Sequence, residues 1–148
     1  MNETRSHTGQ DSIKTKGHCL CGAVKFTVSG ELRDILICHC AQCLHWHGQA
    51  AWYSQASRDA IQLESDKALR WYRSSRHARR GFCGDCGSSL FWSPGDGSRW
   101  SIAAGALQGA DYLKTEAHIF CAHRPGWDRS FKDVPCYPGN LDENPVSN

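Results

Sequence analysis

The chain has 148 residues, 40% of them hydrophobic and 22% charged, with a formal net charge of +2. That length favours one domain with a small core. No apolar run approaches the roughly 20 residues of a membrane-spanning helix, and residues 1–16 lack the apolar middle section of a signal peptide, so a cytoplasmic location is expected and secretion is not.

In chain order, residues 1–16 read as a flexible polar arm. Cys19-Leu-Cys21-Gly22 follows, and then residues 23–29 alternate apolar Val24, Phe26 and Val28 with Lys25 and Thr27, the pattern of a half-buried strand ending at Gly30. Residues 35–38 form a short apolar strand that runs into Cys38-His-Cys40-Ala-Gln-Cys43. Residues 41–47 are compatible with one or two helical turns, as are 110–113. Further strands are expected at 49–54, 61–64, 69–73, 88–92, 100–104 and 115–121, with a hairpin turn at Pro94-Gly-Asp-Gly97. A second doublet, Cys83-Gly-Asp-Cys86-Gly87, lies between two of these strands, and residues 141–148 read as a polar tail. Many short strands with frequent glycine predict a mainly β domain over residues 17–140.

Seven of the nine cysteines therefore stand in three tight groups. Zn²⁺ takes thiolates tetrahedrally, and the groups divide into a set of four, Cys19, Cys21, Cys83 and Cys86, and a set of three, Cys38, Cys40 and Cys43. A four-thiolate set closes the coordination sphere and reads as structural. A three-thiolate set leaves one position open and reads as a place for chemistry. The competing reading is buried unpaired thiols, a common core feature, but two doublets and a triplet make metal the better explanation. A redox pair at Cys83/Cys86 expects a helix after the second cysteine, and the following Ser-Ser-Leu-Phe-Trp reads as strand. An odd cysteine count in a chain of this kind argues against a disulfide framework.

If Cys38 and Cys40 end a strand, His39 between them faces the other way and either orients a substrate or packs. His45 and His47 are candidates for a fourth ligand, against the plainer reading of surface polar residues. His118 and Cys121, spaced H-x-x-C, are the stronger internal competitors for that position, and Cys136 reads as a loop thiol. The basic run Arg70-Trp-Tyr-Arg-Ser-Ser-Arg-His-Ala-Arg-Arg80 is either an anion site, a nucleic-acid groove or a solvated hairpin. Arg79 and Arg80, close to Cys83, would offset the negative charge of a four-thiolate zinc. With seven thiolates and two Zn²⁺ ions the formal charge moves from +2 to about −1, which gives nucleic-acid binding no support from bulk charge.

Gly17-His-Cys-Leu-Cys-Gly-Ala-Val24, the Cys38–Cys43 triplet, Arg79-Arg-Gly-Phe-Cys83 with Cys86-Gly-Ser88, Leu90-Phe-Trp92 and Ala117-His-Ile-Phe120 together resemble the glutathione-dependent formaldehyde-activating enzyme family, also called the GFA or CENP-V domain. The resemblance implies an Mss4-like fold of small antiparallel sheets and carbon–sulfur lyase or S-(hydroxymethyl)glutathione synthase activity. It implies two zinc ions per chain, structural on Cys19, Cys21, Cys83 and Cys86 and catalytic on Cys38, Cys40 and Cys43. The implied small molecules are a thiol such as glutathione and a small aldehyde or its thiol adduct. The rivals are a non-catalytic zinc module for protein or nucleic-acid contacts, and a glutathione carrier. Self-association is compatible with either. Leu44-His45-Trp46-His47 departs from the basic residue that often follows the third catalytic cysteine in this family, and Cys121 replaces an ordinary apolar residue.

Overall fold

The computed structural model describes residues 13–128 and 134–146. Among the described residues ten strands build two sheets: β1 (Lys14–His18), β2 (Lys25–Ser29), β3 (Ile35–Cys38), β4 (Ala51–Ser57), β5 (Ile61–Ser65), β6 (Leu69–Ser75), β7 (Ala78–Cys83), β8 (Ser89–Pro94), β9 (Arg99–Ala103) and β10 (Thr115–Ile119). A three-stranded sheet has the order β1-β2-β5, and a seven-stranded sheet the order β10-β3-β4-β9-β8-β7-β6. Every pairing is antiparallel except β10 with β3. The mainly β fold of antiparallel sheets expected from the sequence is the fold found.

Side chains alternate across a strand, so strand register sorts residues between the two faces of the large sheet. Gly81 pairs with Phe91 and Phe91 with Ile102, while Ala56 pairs with Trp100. Their side turns toward the small sheet, where Val24, Phe26, Val28 and Ile61 join them in one buried cluster. The Phe26 and Phe91 rings meet edge to face, their centroids 4.9 Å apart, a favoured geometry for aromatic pairs. The opposite face carries Leu36 beside Tyr53, Gln55 beside Ser101, Ser101 beside Trp92, and Trp92 beside Arg80. That second face is the floor of a cavity.

The helix α1 (Ala41–His47) sits beside this floor. It begins at Cys40, whose Sγ accepts a hydrogen bond from the Cys43 amide at 3.4 Å. It ends at Gly48 in the left-handed conformation, φ 74°, which a glycine adopts without steric cost.

Several expectations change. Lys14–Lys16 belong to β1, which pairs with β2 from Lys14↔Ser29 to His18↔Lys25, whereas an arm was expected there. The alternation there was hidden because Thr15 and Gly17, not aliphatic residues, face inward. Residues 1–12 of the expected arm lie outside the described residues. Residues 110–113 form a turn closed by Leu113 N–H on Ala110 O at 3.0 Å. β10 stops at Ile119 because Phe120 takes a left-handed backbone, φ 57°, and Cys121–His123 make a short 3₁₀ turn. The hairpin turn at residues 94–97 connects β8 and β9, with Gly97 N–H on Pro94 O at 3.0 Å. No described helix is long and apolar enough to cross a membrane.

Candidate metal centres and the adjoining cavity

Cys19, Cys21, Cys83 and Cys86 lie together, their Sγ atoms all within 4.8 Å of one another. Two matching turns achieve this. Gly22 N–H bonds Cys19 O at 3.1 Å and Gly87 N–H bonds Cys83 O at 2.8 Å. Both glycines have φ 77°, which lets each chain turn tightly directly after its second cysteine. Cys19 and Cys21 thus reach a common point through a turn, not along an extended strand. Cys21 Sγ lies 3.6 Å from Cys19 Sγ and 3.8 Å from Cys83 Sγ. Tetrahedral zinc with bonds of about 2.3 Å places its sulfurs about 3.8 Å apart, so the donor set fits that ion. Hydrogen bonds from the Ser88 hydroxyl and amide hold Cys86 down at about 5, which favours the thiolate a metal needs.

Cys38, Cys40 and Cys43 form the second group, again with all Sγ atoms within 4.8 Å. Cys38 ends β3, Cys40 starts α1 and Cys43 is the buried residue of its first turn. Hydrogen bonds from Cys38 and Cys43 lower Cys40 to about 2, while the same contacts push Cys38 far up. Three thiols so close share protons, and all three ionise together only around a cation. No fourth His, Cys, Asp or Glu joins them among the described residues.

The other candidates for the fourth position are placed elsewhere. His118 is buried with its Nδ1 2.7 Å from His39 Nε2. His39 is also fully buried, and its Nδ1 lies 3.1 Å from Asp128 Oδ2. A carboxylate can only accept, so the proton belongs on His39 Nδ1 and His118 Nδ1–H donates to His39 Nε2. Burial lowers both histidines, His118 to about 4, and both are neutral. His39 therefore packs behind the cysteine loop and does not face a substrate. Cys121 is disulfide-bonded to Cys136, against the expectation of a metal competitor and a loop thiol. The pairing arises because residues 135–139 run beside β10, with His118 N–H on Pro135 O and Phe120 N–H on Gly139 O. His45 is exposed, and His47 Nε2 sits 3.1 Å from the Tyr53 hydroxyl. Tyr53 is pushed up to about 12 by burial and keeps its proton at neutral pH.

The basic run is a β6–β7 hairpin whose strand alternation separates its last two arginines. Arg79 lies over the Trp71 ring at 4.3 Å. Arg80 turns to the cavity face, is 2% exposed, and places both Nη1 and Nη2 3.8 Å from Cys43 Sγ. Arg80 thus serves the three-cysteine group, not the four-cysteine group expected from its nearness in sequence to Cys83. Its Nη2 also donates to Gln42 Oε1 at 3.3 Å. The charge of a fully ionised triad is met by a guanidinium that spacing alone had not assigned to it.

All three cysteines of this group line one cavity of about 570 Å³, with Arg80, Tyr53 and Trp92 in its floor and Phe120 and Asn140 at its border. That volume lies within the range of small-molecule sites. Arg33, Gln42, Tyr53, Asn140 and Asp128 were not marked by sequence reasoning, whereas Trp92 stood only in a motif of the family resemblance. Only Gln42, inside the triplet, carried a local signal.

Comparisons with known proteins agree with this picture. A Schizosaccharomyces pombe protein described as an uncharacterized lyase is 25% identical over 111 residues, covering 74% of this chain and 80% of that protein. A crystal structure of a Rhodobacter sphaeroides protein is similar with a TM-score of 0.55 and 26% identity, over 64% of this chain and 88% of that one. The family model described as glutathione-dependent formaldehyde-activating enzyme matches residues 14–123, which contain both cysteine groups and the strands that position them, and the chain belongs to that family.

Proposed function

We propose that the protein is a lyase-like zinc enzyme that joins a thiol to a small aldehyde, or splits the resulting carbon–sulfur adduct, at the Cys38/Cys40/Cys43 group. The observation that carries this reading is a three-cysteine group without a fourth protein ligand among the described residues, opening on a cavity of about 570 Å³. Glutathione and formaldehyde are the thiol and aldehyde named by the family, and the lyase description of the yeast relative supports the reaction class. The four-cysteine group would hold a structural zinc that ties the β1–β2 turn to the β7–β8 connection.

Cys38, Cys40 and Cys43 would hold the zinc ion, which would supply an exchangeable position and favour the ionised form of an incoming thiol at neutral pH. The remaining work belongs to the chain. Cys38, Cys40 and Cys43 converge from a strand end and a helix start, so their geometry is set before substrate arrives. Arg80 compensates the negative charge that collects on sulfur. Tyr53 and Trp92 present ring surface that excludes water, and Tyr53 adds no charge. In the forward direction the thiol loses its proton, sulfur donates an electron pair to the carbonyl carbon, and the carbonyl oxygen takes a proton. The reverse breaks the same C–S bond, and no oxidant or reductant is needed. Within the basic run Arg80 serves this anionic chemistry, while Arg70 donates to Lys67 O, Arg73 to Ser75 O, and Arg79 covers Trp71.

Calorimetry of glutathione binding to zinc-loaded protein, in buffers of different ionisation enthalpy, tests the reading. Release of about one proton per glutathione is expected. Binding without proton release, or no binding, would refute ligation at the open position. Exchange spectroscopy of the formaldehyde adduct separates enzyme from carrier: turnover above the unaided reaction, lost in Cys40→Ser, is the enzymatic outcome.

A further inference from the structure

The far end of the cavity from the cysteines is built differently. Arg33 stands just before β3, beside Gln55 of β4 and Ser101 of β9, and all three line the cavity. The arginine is fixed by its surroundings. Its amide donates to Gln55 O at 3.1 Å, its Nη2 donates to Tyr53 O at 2.8 Å, and its carbonyl accepts from Ser54 Oγ at 2.6 Å. Yet its Nε is buried and makes no hydrogen bond among the described residues, and no described carboxylate comes within 4.0 Å of its guanidinium. Burial presses its pKa down; Glu116 and Asp34 oppose this from beyond ion-pair distance, and Arg99 adds to it. Gln55 Nε2 donates to Ser101 Oγ at 3.3 Å, which aligns two further polar groups beside it. Among the described residues no acidic side chain lines the cavity. Arg33 and Gln55 also border a separate open groove of about 550 Å³ that adds Arg99 and Glu31.

A held guanidinium with unused donors, in a cavity that no described carboxylate lines, is a site for an anion that accepts from a planar fork. Register gives the spacing. Cys38 pairs with Ala51, and Arg33 bonds Gln55. Those two β4 positions are four residues apart, about 14 Å at about 3.4 Å per residue. A ligand bridging both ends has its sulfur at one and its negative group at the other.

We propose that Arg33, with Gln55 and Ser101, is a carboxylate subsite that makes this cavity selective for an elongated, carboxylate-bearing thiol of peptide length over small neutral thiols. The inference rests on the thiol reading of the cysteine group. The small aldehyde needs no recognition here and reacts at the cysteine end. Arg80 is engaged by Cys43 and Gln42, so the subsite at Arg33 sets the specificity for the acidic arm.

The test is calorimetric binding to zinc-loaded full-length protein, with glutathione, its dicarboxylate diester and S-methylglutathione as probes. Wild type is expected to bind the diester at least about tenfold more weakly than glutathione, the scale of a hydrogen-bonded charged contact. Arg33→Gln should lose a similar factor for glutathione and nothing further for the diester, and Arg33→Lys should recover part of the loss. S-methylglutathione, whose sulfur cannot ionise, should still be weakened by Arg33→Gln. Ser101→Ala, which leaves the Arg33 backbone contacts intact, should give a smaller loss in the same direction and serves if Arg33→Gln does not fold. Equal glutathione-to-diester ratios in wild type and variants would overturn the subsite. Proton release with glutathione in that same experiment would leave the thiol reading standing. Carboxylate dependence without proton release would support the subsite and remove thiol ligation.

Discussion

Replacing Arg80 by methionine keeps much of the buried volume and removes the charge. Both Nη atoms lie 3.8 Å from Cys43 Sγ, in a position only 2% exposed. At an effective dielectric of about 20, one charge pair at that distance is worth about 4 kcal/mol, or about three pH units in thiol ionisation. The zinc-loaded triad would carry about −1 and an incoming thiolate would take it to about −2, so the guanidinium favours both the loaded state and the thiol complex. Its repulsion of the bare cation offsets part of this, and a loss of at least about tenfold in zinc affinity at this group is the net expectation. Competition against a chromophoric chelator resolves the two metal equivalents. Arg80→Met should weaken one and leave the other unchanged, and Arg80→Lys should fall between. If Arg80→Met holds both equivalents as tightly as wild type, the electrostatic assignment of Arg80 to the triad is wrong.

Cys83→Ser and Cys40→Ser should fail differently. Cys83 meets Cys21 across 62 residues, so its loss should lower the thermal midpoint by at least about 10 °C, because structural zinc contributes folding energy directly, while Cys40→Ser should stay folded and lose thiol binding; equal midpoints would contradict the division. Gly17→Ala would place a Cβ 2.2 Å from the Phe26 ring, and overpacking of about 1–3 kcal/mol should lower the midpoint by about 5 °C, read by circular dichroism; an unchanged midpoint would mean that β1 does not seat on Phe26. His118 is lowered by burial to about 4, so the unfolded chain takes up its proton first as pH falls. Its stabilisation is complete above about 6.5 and drains away toward pH 4, by up to about 3 kcal/mol. Urea unfolding at several pH values should show a shallower acid slope in His118→Gln than in wild type, and identical slopes would remove His118 from the acid response.

Features that depend on neighbours along the chain were legible before any fold was known. Strands at 35–38 and 61–64, the helical turns at 41–47 and the hairpin at 94–97 were legible because alternation, capping and turn chemistry act over a few residues. The grouping of seven cysteines into four and three was legible for the same reason: each short cluster aims its sulfurs at one point through a local turn. Tertiary structure decided whatever depends on which strand lies beside which. Arg80 stands three residues from Cys83, yet register turns it to the opposite end of the problem, against Cys43. Cys121 was read as a metal competitor because only its own segment was visible; the chain returning beside β10 supplies Cys136 instead. Asp128 completes the buried His39–His118 pair with no local pattern to announce it, and Arg33 reaches the cavity only because β3 pairs with β4. Hydrophobic period and ligand spacing are one-dimensional quantities, whereas charge compensation and a cavity wall are set by strand order, which packing of the two sheets selects.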